Sequence, residues 1–329
     1  MRSSESKSVA DSGAIVGGRL AQLIADMGQV SPGTPRIRGP RTGDLANLIR
    51  FLFEKVTNYT MFGKIAERLA GKNILITGAS TGIGYSTAKH FAEAGAGNIK
   101  LVLTARREDK LKALKEELLK TYPSIKVFIG ALDVSKTDQI SPFLKSLPEE
   151  FSQIDVLVNN AGKALGLDPV GSVDSADVKE MFETNVLGMI ELTQLVVRQM
   201  KERNKGDIIQ LGSVAGREAY PGGSIYCATK SALNFFTSAL RKELINTKIR
   251  VIEVQPGNVA TDEFSLVRFK GDKERAAAVY KDTEPLYADD IAELIVFAAT
   301  RKENTVLAET LIFGNNQASP FHIYRGSQK

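Results

Sequence analysis

The chain has 329 residues, 43% of them hydrophobic, and a formal charge of +5 spread among interspersed Lys, Arg, Asp and Glu. That is ample for a large core; no run of about eighteen apolar residues predicts a membrane-crossing helix, and no basic block predicts a nucleic-acid surface. The single cysteine, Cys227, excludes an internal disulfide and suits a reducing, cytoplasmic setting, while His90 and His322 alone leave little for a metal centre or a Ser-His-Asp hydrolase.

Residues 1–60 differ from the rest. Ser, Gly, Pro and Arg crowd stretches such as Gln29-Val-Ser-Pro-Gly-Thr-Pro-Arg-Ile-Arg-Gly-Pro-Arg41, a composition that disfavours a packed core. Two amphipathic pieces, 15–27 and 45–56, have helical spacing. Glu5, Asp11 and Asp26 disfavour a transit peptide. The expected organisation is an extension over 1–60 outside the chemistry, with Met61 a candidate start, and a catalytic domain over 61–329.

From Lys72 onward, short β-rich runs alternate with longer helical ones. Strands are expected over 73–77, 100–105, 126–131, 156–159, 207–211, 250–255 and 310–313, and helices over segments such as 107–121 and 178–203. Strands alternating with helices define an α/β fold with one doubly wound parallel sheet of about seven strands, covered on both faces. The apolar runs Ile74-Leu-Ile76 and Val156-Leu-Val158 suit strands buried on both sides.

The first strand runs into Thr77-Gly-Ala-Ser-Thr-Gly-Ile-Gly84 and then at once into a helical pattern. Gly78, Gly82 and Gly84 permit a tight turn and close backbone approach to a pyrophosphate, which the helix N-terminus would hold. An ordinary βα turn has no need of three glycines at this spacing. The second strand ends Val102-Leu-Thr-Ala-Arg-Arg107. An NAD site places an acid near this point for the ribose hydroxyls; here stand Ala105, Arg106 and Arg107. Guanidinium groups suit a 2′-phosphate, so NADP is the expected cofactor.

Tyr226 and Lys230 stand four residues apart in Ser224-Ile-Tyr-Cys-Ala-Thr-Lys230, with Ser213 upstream. On a helix they share a face. An ammonium beside a phenol favours the phenolate, so the pair is expected to act as an acid/base couple with Lys230 lowering the Tyr226 pKa. Two exposed residues on a wet face would show the same spacing; the accompanying motifs decide against that reading. A carboxylate-bearing substrate needs a cation near Ser213. Arg217 is the first candidate and Arg268, after the sixth strand, the second.

Taken together these motifs resemble the short-chain dehydrogenase/reductase family, from about Leu69 to the C-terminus. Beyond those named, the matches are Asn159-Asn-Ala-Gly162, Asn185 in Thr184-Asn-Val186, and Pro256-Gly257 with Thr261. Within the family, the segments 216–230 and 263–269 look like the NADP-dependent 3-hydroxy acid (serine/3-hydroxyisobutyrate-type) dehydrogenases, and 316–325 like their fungal members. The resemblance implies Tyr226 as general acid/base and Lys230 as its partner and nicotinamide-ribose ligand. It implies Ser213 on the substrate oxygen, and Asn185 holding a water that links Lys230 to solvent. Cofactor contacts are implied for Gly78, Ser80, Gly82, Ile83, Gly84, Asp133 (adenine), Asn160 (ribose), and Val259 and Thr261 (nicotinamide carboxamide). A homotetramer is implied too, and the apolar tail 321–324, which has no obvious place in the parallel-sheet core, could cap a neighbouring subunit. L-serine, L-allo-threonine and 3-hydroxyisobutyrate are the implied substrates. The alternatives are a broad carbonyl reductase and, outside catalysis, a nucleotide-sensing scaffold.

Overall fold

The computed structural model describes residues 61–261 and 263–326, all within one compact unit. The expected extension and its two amphipathic pieces lie outside the described residues. A helix, α1 (Met61–Leu69), leads into β1 (Asn73–Thr77), α2 (Gly82–Ala94), β2 (Lys100–Ala105), α3 (Glu108–Thr121) and β3 (Lys126–Ala131). After α4 (Thr137–Lys145) and a single turn, α5 (Glu149–Ser152), comes β4 (Val156–Asn159). The second half runs α6 (Ser175–Phe182), α7 (Met189–Glu202), β5 (Gly206–Leu211), α8 (Ser224–Glu243) and β6 (Ile249–Pro256). Then follow β7 (Val259–Ala260), α9 (Phe264–Arg268), α10 (Lys273–Ala278), β8 (Leu286–Tyr287), α11 (Ala288–Ala299) and β9 (Glu309–Ile312).

Seven strands form one sheet in the order β3-β2-β1-β4-β5-β6-β9, and every neighbouring pair is parallel. The strands fall where the sequence places them, within a residue. Not anticipated is the small β7–β8 pair, which joins the loop after β6 to the start of α11.

Side-chain alternation splits the core into two layers. Ile74, Ile76, Leu101, Leu103, Val156 and Val158 face α2, α3 and α11, meeting Phe91, Leu114 and Ile295. Leu75, Val102, Leu157 and Ile208 point the other way and meet Leu192, Val196 and Leu240 on α7 and α8. Hence the interior strands β1, β4, β5 and β6 are buried at every residue, while the edge strands β3 and β9 are not. One buried ion pair crosses this core. Arg250 reaches Asp207 through Nε at 2.6 Å and Nη2 at 2.7 Å, and donates to the Ala299 carbonyl at 2.7 Å. Multiple hydrogen bonds of this kind are what a buried guanidinium requires.

The strand order reverses at β1, whose neighbours β2 and β4 lie on opposite sides. In such sheets the ligand crevice opens beyond the carboxyl ends of the strands at this point. The glycine loop leaves β1 there.

Candidate active site

A cavity of about 550 Å³ opens at the carboxyl ends of the strands. The segment between β1 and α2 forms one wall. Gly78 and Gly82 both take positive φ, 65° and 56°, a conformation glycine adopts without Cβ strain. A Cβ on Gly84 would lie 2.4 Å from the Gly78 carbonyl oxygen, so only glycine lets the helix start pack against the turn. Asn160 braces the loop, its Nδ2 donating to the carbonyls of Thr77 (2.8 Å) and Gly78 (3.2 Å). Its amide nitrogen thus holds the loop itself, while the residue still lines the cavity. Thr81, at the N-cap of α2, makes no side-chain cap, so the first amides of the helix have no such partner. That leaves a helix start suited to an anion.

The ends of β2 and β3 supply the next wall. Ala105, Arg106, Arg107 and Asp133 all line the cavity, with Ser80 and Ile83 opposite. Arg106 makes no side-chain hydrogen bond among the described residues and is free to meet a phosphate. Arg107 is engaged elsewhere, by Glu263 and by Ser80 Oγ at 3.1 Å. Asp133 is partly buried, which favours its neutral form, but two hydrogen bonds from Ser135 and the charges of Arg106 and Lys163 outweigh this and lower its pKa.

The helical segment expected over 178–203 is continuous but not uniform. Residues Glu183–Gly188 form a π-helical turn between α6 and α7, the kind of insertion that often marks a functional site. It turns Asn185 inward. The buried Asn185 accepts from Lys163 N (2.9 Å) and donates to Lys163 O (2.8 Å) and Thr229 Oγ1 (3.1 Å).

Ser213, Tyr226 and Lys230 meet at the inner end. Ser213 caps a 3-10 turn, Val214–Gly216, by accepting from Ala215 N at 3.1 Å. Its hydroxyl lies close enough to the Tyr226 phenol to favour a lower pKa there. All three side chains are buried and line the cavity. Lys230 Nζ donates to the Leu211 carbonyl at 2.7 Å and stands 5.9 Å from the Tyr226 ring centre.

The electrostatics correct one expectation. Burial, with Tyr220 alongside, pushes the Tyr226 pKa up from its ordinary value; the Ser213 hydroxyl and the Arg268 charge oppose that rise. Lys230, 5.9 Å from the ring centre, makes no hydrogen bond to the Tyr226 hydroxyl. Its own pKa falls from 10.5 to about 8 through burial, and its ammonium is directed at a backbone carbonyl. Burial thus favours the protonated phenol, a desolvation effect that opposes the one expected from the spacing.

A stability prediction follows from Lys230. Its folded value lies below the ordinary one, so the unfolded chain binds more protons between about pH 8 and 10.5, and stability rises with pH over that window. Below it the buried charge costs about 3 kcal/mol net, the charge of Glu253 already opposing the loss. Lys230→Met should therefore shift urea unfolding at pH 7 to higher stability by about 1–2 kcal/mol, a gain that fades toward pH 10.5. A variant less stable than the parent at pH 7 would contradict the assignment.

Arg217 is not where the substrate argument needs it. The 3-10 turn carries it off the cavity, and its guanidinium bonds Gln255 and Glu309 on the β6–β9 side. The second candidate, Arg268, does line the cavity. It lies over the rings of Tyr220 (5.4 Å) and Tyr226 (5.8 Å), and donates to Tyr220 Oη at 2.9 Å and Gly166 O at 3.2 Å. Sequence reasoning missed Tyr220 and Phe264, whose ring meets Tyr226 edge-on at 6.0 Å; no local motif marks them. The tail also reaches the site. Pro320, Ile323 and Arg325 line the chain's own cavity, and Phe321 packs edge-on against Tyr220 at 6.5 Å.

A glycine loop at the switch point of a parallel sheet, opening on a buried Ser–Tyr–Lys set, defines a dinucleotide-dependent oxidoreductase. Comparison with known proteins narrows this. The short chain dehydrogenase family matches residues 72–269. A Schizosaccharomyces pombe NADP-dependent 3-hydroxy acid dehydrogenase is 54% identical over 259 residues, 79% of this chain and 98% of the relative. A sulfoacetaldehyde reductase of Chromohalobacter salexigens is 43% identical over 228 residues, 69% and 88% of the two chains. The closed form of a serine dehydrogenase complexed with NADP+ superposes with a TM-score of 0.71 at 36% identity, covering 78% of this chain and 99% of that one. The chain belongs to the short-chain dehydrogenase family, and it is an NADP-dependent oxidoreductase of the 3-hydroxy acid dehydrogenase type. No helix among the described residues is long and apolar enough to cross a membrane.

Proposed function

We propose that the protein interconverts small 3-hydroxy acids, such as L-serine, L-allo-threonine or 3-hydroxyisobutyrate, with their 3-oxo counterparts, and that Tyr226 handles the proton. NADPH supplies the hydride in the reductive direction. The neutral phenol of Tyr226 then donates its proton to the substrate oxygen, while the Ser213 hydroxyl hydrogen-bonds that oxygen and stabilises the charge developing there. In the oxidative direction the same oxygen, after the phenol has lost its proton, accepts one from the substrate alcohol. Lys230 offers an ammonium at the rear of the pocket. Asn185 fixes the 163 backbone beside it, the position from which the family resemblance has it hold a water.

One observation carries the substrate class: the Arg268 guanidinium lies over the Tyr226 ring inside the cavity. It retains donors beyond its bonds to Tyr220 and Gly166 and can grip an anion in fork geometry. The two curated relatives fit this chemistry, since a 3-hydroxy acid and sulfoacetaldehyde both carry an anionic group close to the reacting carbon. Arg268→Gln should raise KM for 3-hydroxy acids by about 10–100-fold, corresponding to about 1.5–3 kcal/mol for a hydrogen bond to a charged group. Neutral ketones should be affected far less. Equal losses on both classes would make Arg268 a scaffold for Tyr220, and the broad carbonyl reductase reading would replace this one. The homotetramer rests on the family resemblance, and the cytoplasmic location on the single cysteine; exposed Phe235 and Ile245 offer apolar surface for a subunit contact.

A further inference from the structure

The residue just before α9 has no part in the proton chemistry yet gathers four hydrogen bonds. Glu263 Oε1 accepts from Arg107 Nη1 at 2.8 Å and Lys110 Nζ at 3.0 Å; Oε2 accepts from Arg107 Nη2 at 2.5 Å and Thr81 Oγ1 at 3.1 Å. The donors come from the end of β2, from α3 and from the phosphate loop. The Arg107 fork, then burial against it, then Lys110 and Thr81, leave the Glu263 carboxyl at about 2, so it is ionised throughout the working range. Two residues upstream the same segment crosses the glycine loop closely: a Cβ on Gly82 would lie 3.4 Å from Thr261 Cγ2. Directly downstream, α9 presents Phe264 and Arg268 to Tyr226. One carboxylate therefore ties the substrate-side helix to the cofactor-side loops, across a cavity that Gly82, Thr261 and Glu263 all line.

We infer that Glu263 is a positioning residue: its clasp on Arg107, Lys110 and Thr81 holds the α9 segment closed across the cofactor channel, retaining the dinucleotide and setting Phe264 and Arg268 against Tyr226. This rests on the NADP-dependent reading. The clasp occupies Arg107 end-on, so the 2′-phosphate falls to Arg106, and the clasp retains NADP and NAD alike. Its contribution is that of a partly solvated ion-pair network, larger than one exposed pair and smaller than a buried one.

The test is stopped-flow release of NADPH and of NADH from the full chain, followed by nucleotide fluorescence after mixing with excess competing nucleotide. Glu263→Gln should accelerate both releases by a similar factor, about tenfold, and raise substrate KM with a smaller change in kcat. The ratio of NADPH to NADH affinity should stay at its parental value. With NADH, which has no 2′-phosphate, Arg107→Gln should match Glu263→Gln, and the double variant should add nothing further. Should Glu263→Gln not fold, Lys110→Met, on an exposed helix face, should show a smaller acceleration of the same sign. Unchanged release would overturn the clasp. So would NADPH binding that tightens while NADH stays constant, because Glu263 would then be competing with the 2′-phosphate for Arg107. Failure of the parent chain to bind NADPH at all would instead strike the cofactor reading, a separately visible outcome.

Discussion

Tyr226→Phe lowers turnover by about 10²–10⁴-fold, the usual contribution of a general acid or base, and leaves the dissociation constant for NADPH within about twofold, since no phosphate contact or cavity wall changes. The phenylalanine ring keeps the edge contact with Phe264 and the face beneath Arg268. What disappears is the hydroxyl, close to Ser213, that carries the transferable proton. The ring is buried, so no bulk water stands in for the missing group. Single-turnover rates at saturating substrate, alongside calorimetric cofactor binding, check both halves. Retention of half the parental rate would remove Tyr226 from the chemistry, and an equal loss of cofactor affinity would make its role structural.

The second large effect concerns the cofactor. Arg106→Asp is expected to cut kcat/KM with NADP by about tenfold or more, from the loss of a charge-assisted phosphate contact. It should at the same time raise kcat/KM with NAD, because a carboxylate at the end of β2 accepts from the ribose hydroxyls. Arg106 is exposed, lines the cavity and has no competing side-chain hydrogen bond among the described residues. The neighbouring Arg107→Gln should change the NADP-to-NAD ratio far less, its guanidinium being held by Glu263. Steady-state kinetics with both cofactors decides the matter; a ratio unmoved by Arg106→Asp would transfer the phosphate to other residues.

Much of this molecule is legible along the chain. The strands appear as short apolar runs because a parallel sheet buries both faces, and the run Ile74-Leu-Ile76 has no solvent side to encode. The glycine loop is legible because positive φ at Gly78 and Gly82 and the close packing of Gly84 exclude side chains for local reasons. Ser213, Tyr226 and Lys230 are legible because helix geometry and short loops bring them together within a few turns of chain.

Other features depend on contacts between residues remote in sequence, or on removal from water, and neither leaves a local pattern. Arg217 and Arg268 are indistinguishable as letters. The first is carried by a 3-10 turn toward Glu309, and the second is brought back from beyond β6 to bond Gly166 and cover Tyr226. The spacing of Tyr226 and Lys230 is that of an acid/base pair, yet the direction of both pKa shifts follows from burial, a property of the assembled core. The union of Arg107 with Glu263 likewise exists only once the loop after β6 crosses the glycine loop. Residue types and helical or strand periods dictate the fold and the reactive set. Only tertiary packing decides which charges face the cavity and how strongly water is excluded from them, because Coulomb interaction and desolvation depend on distance in space and not on distance along the chain.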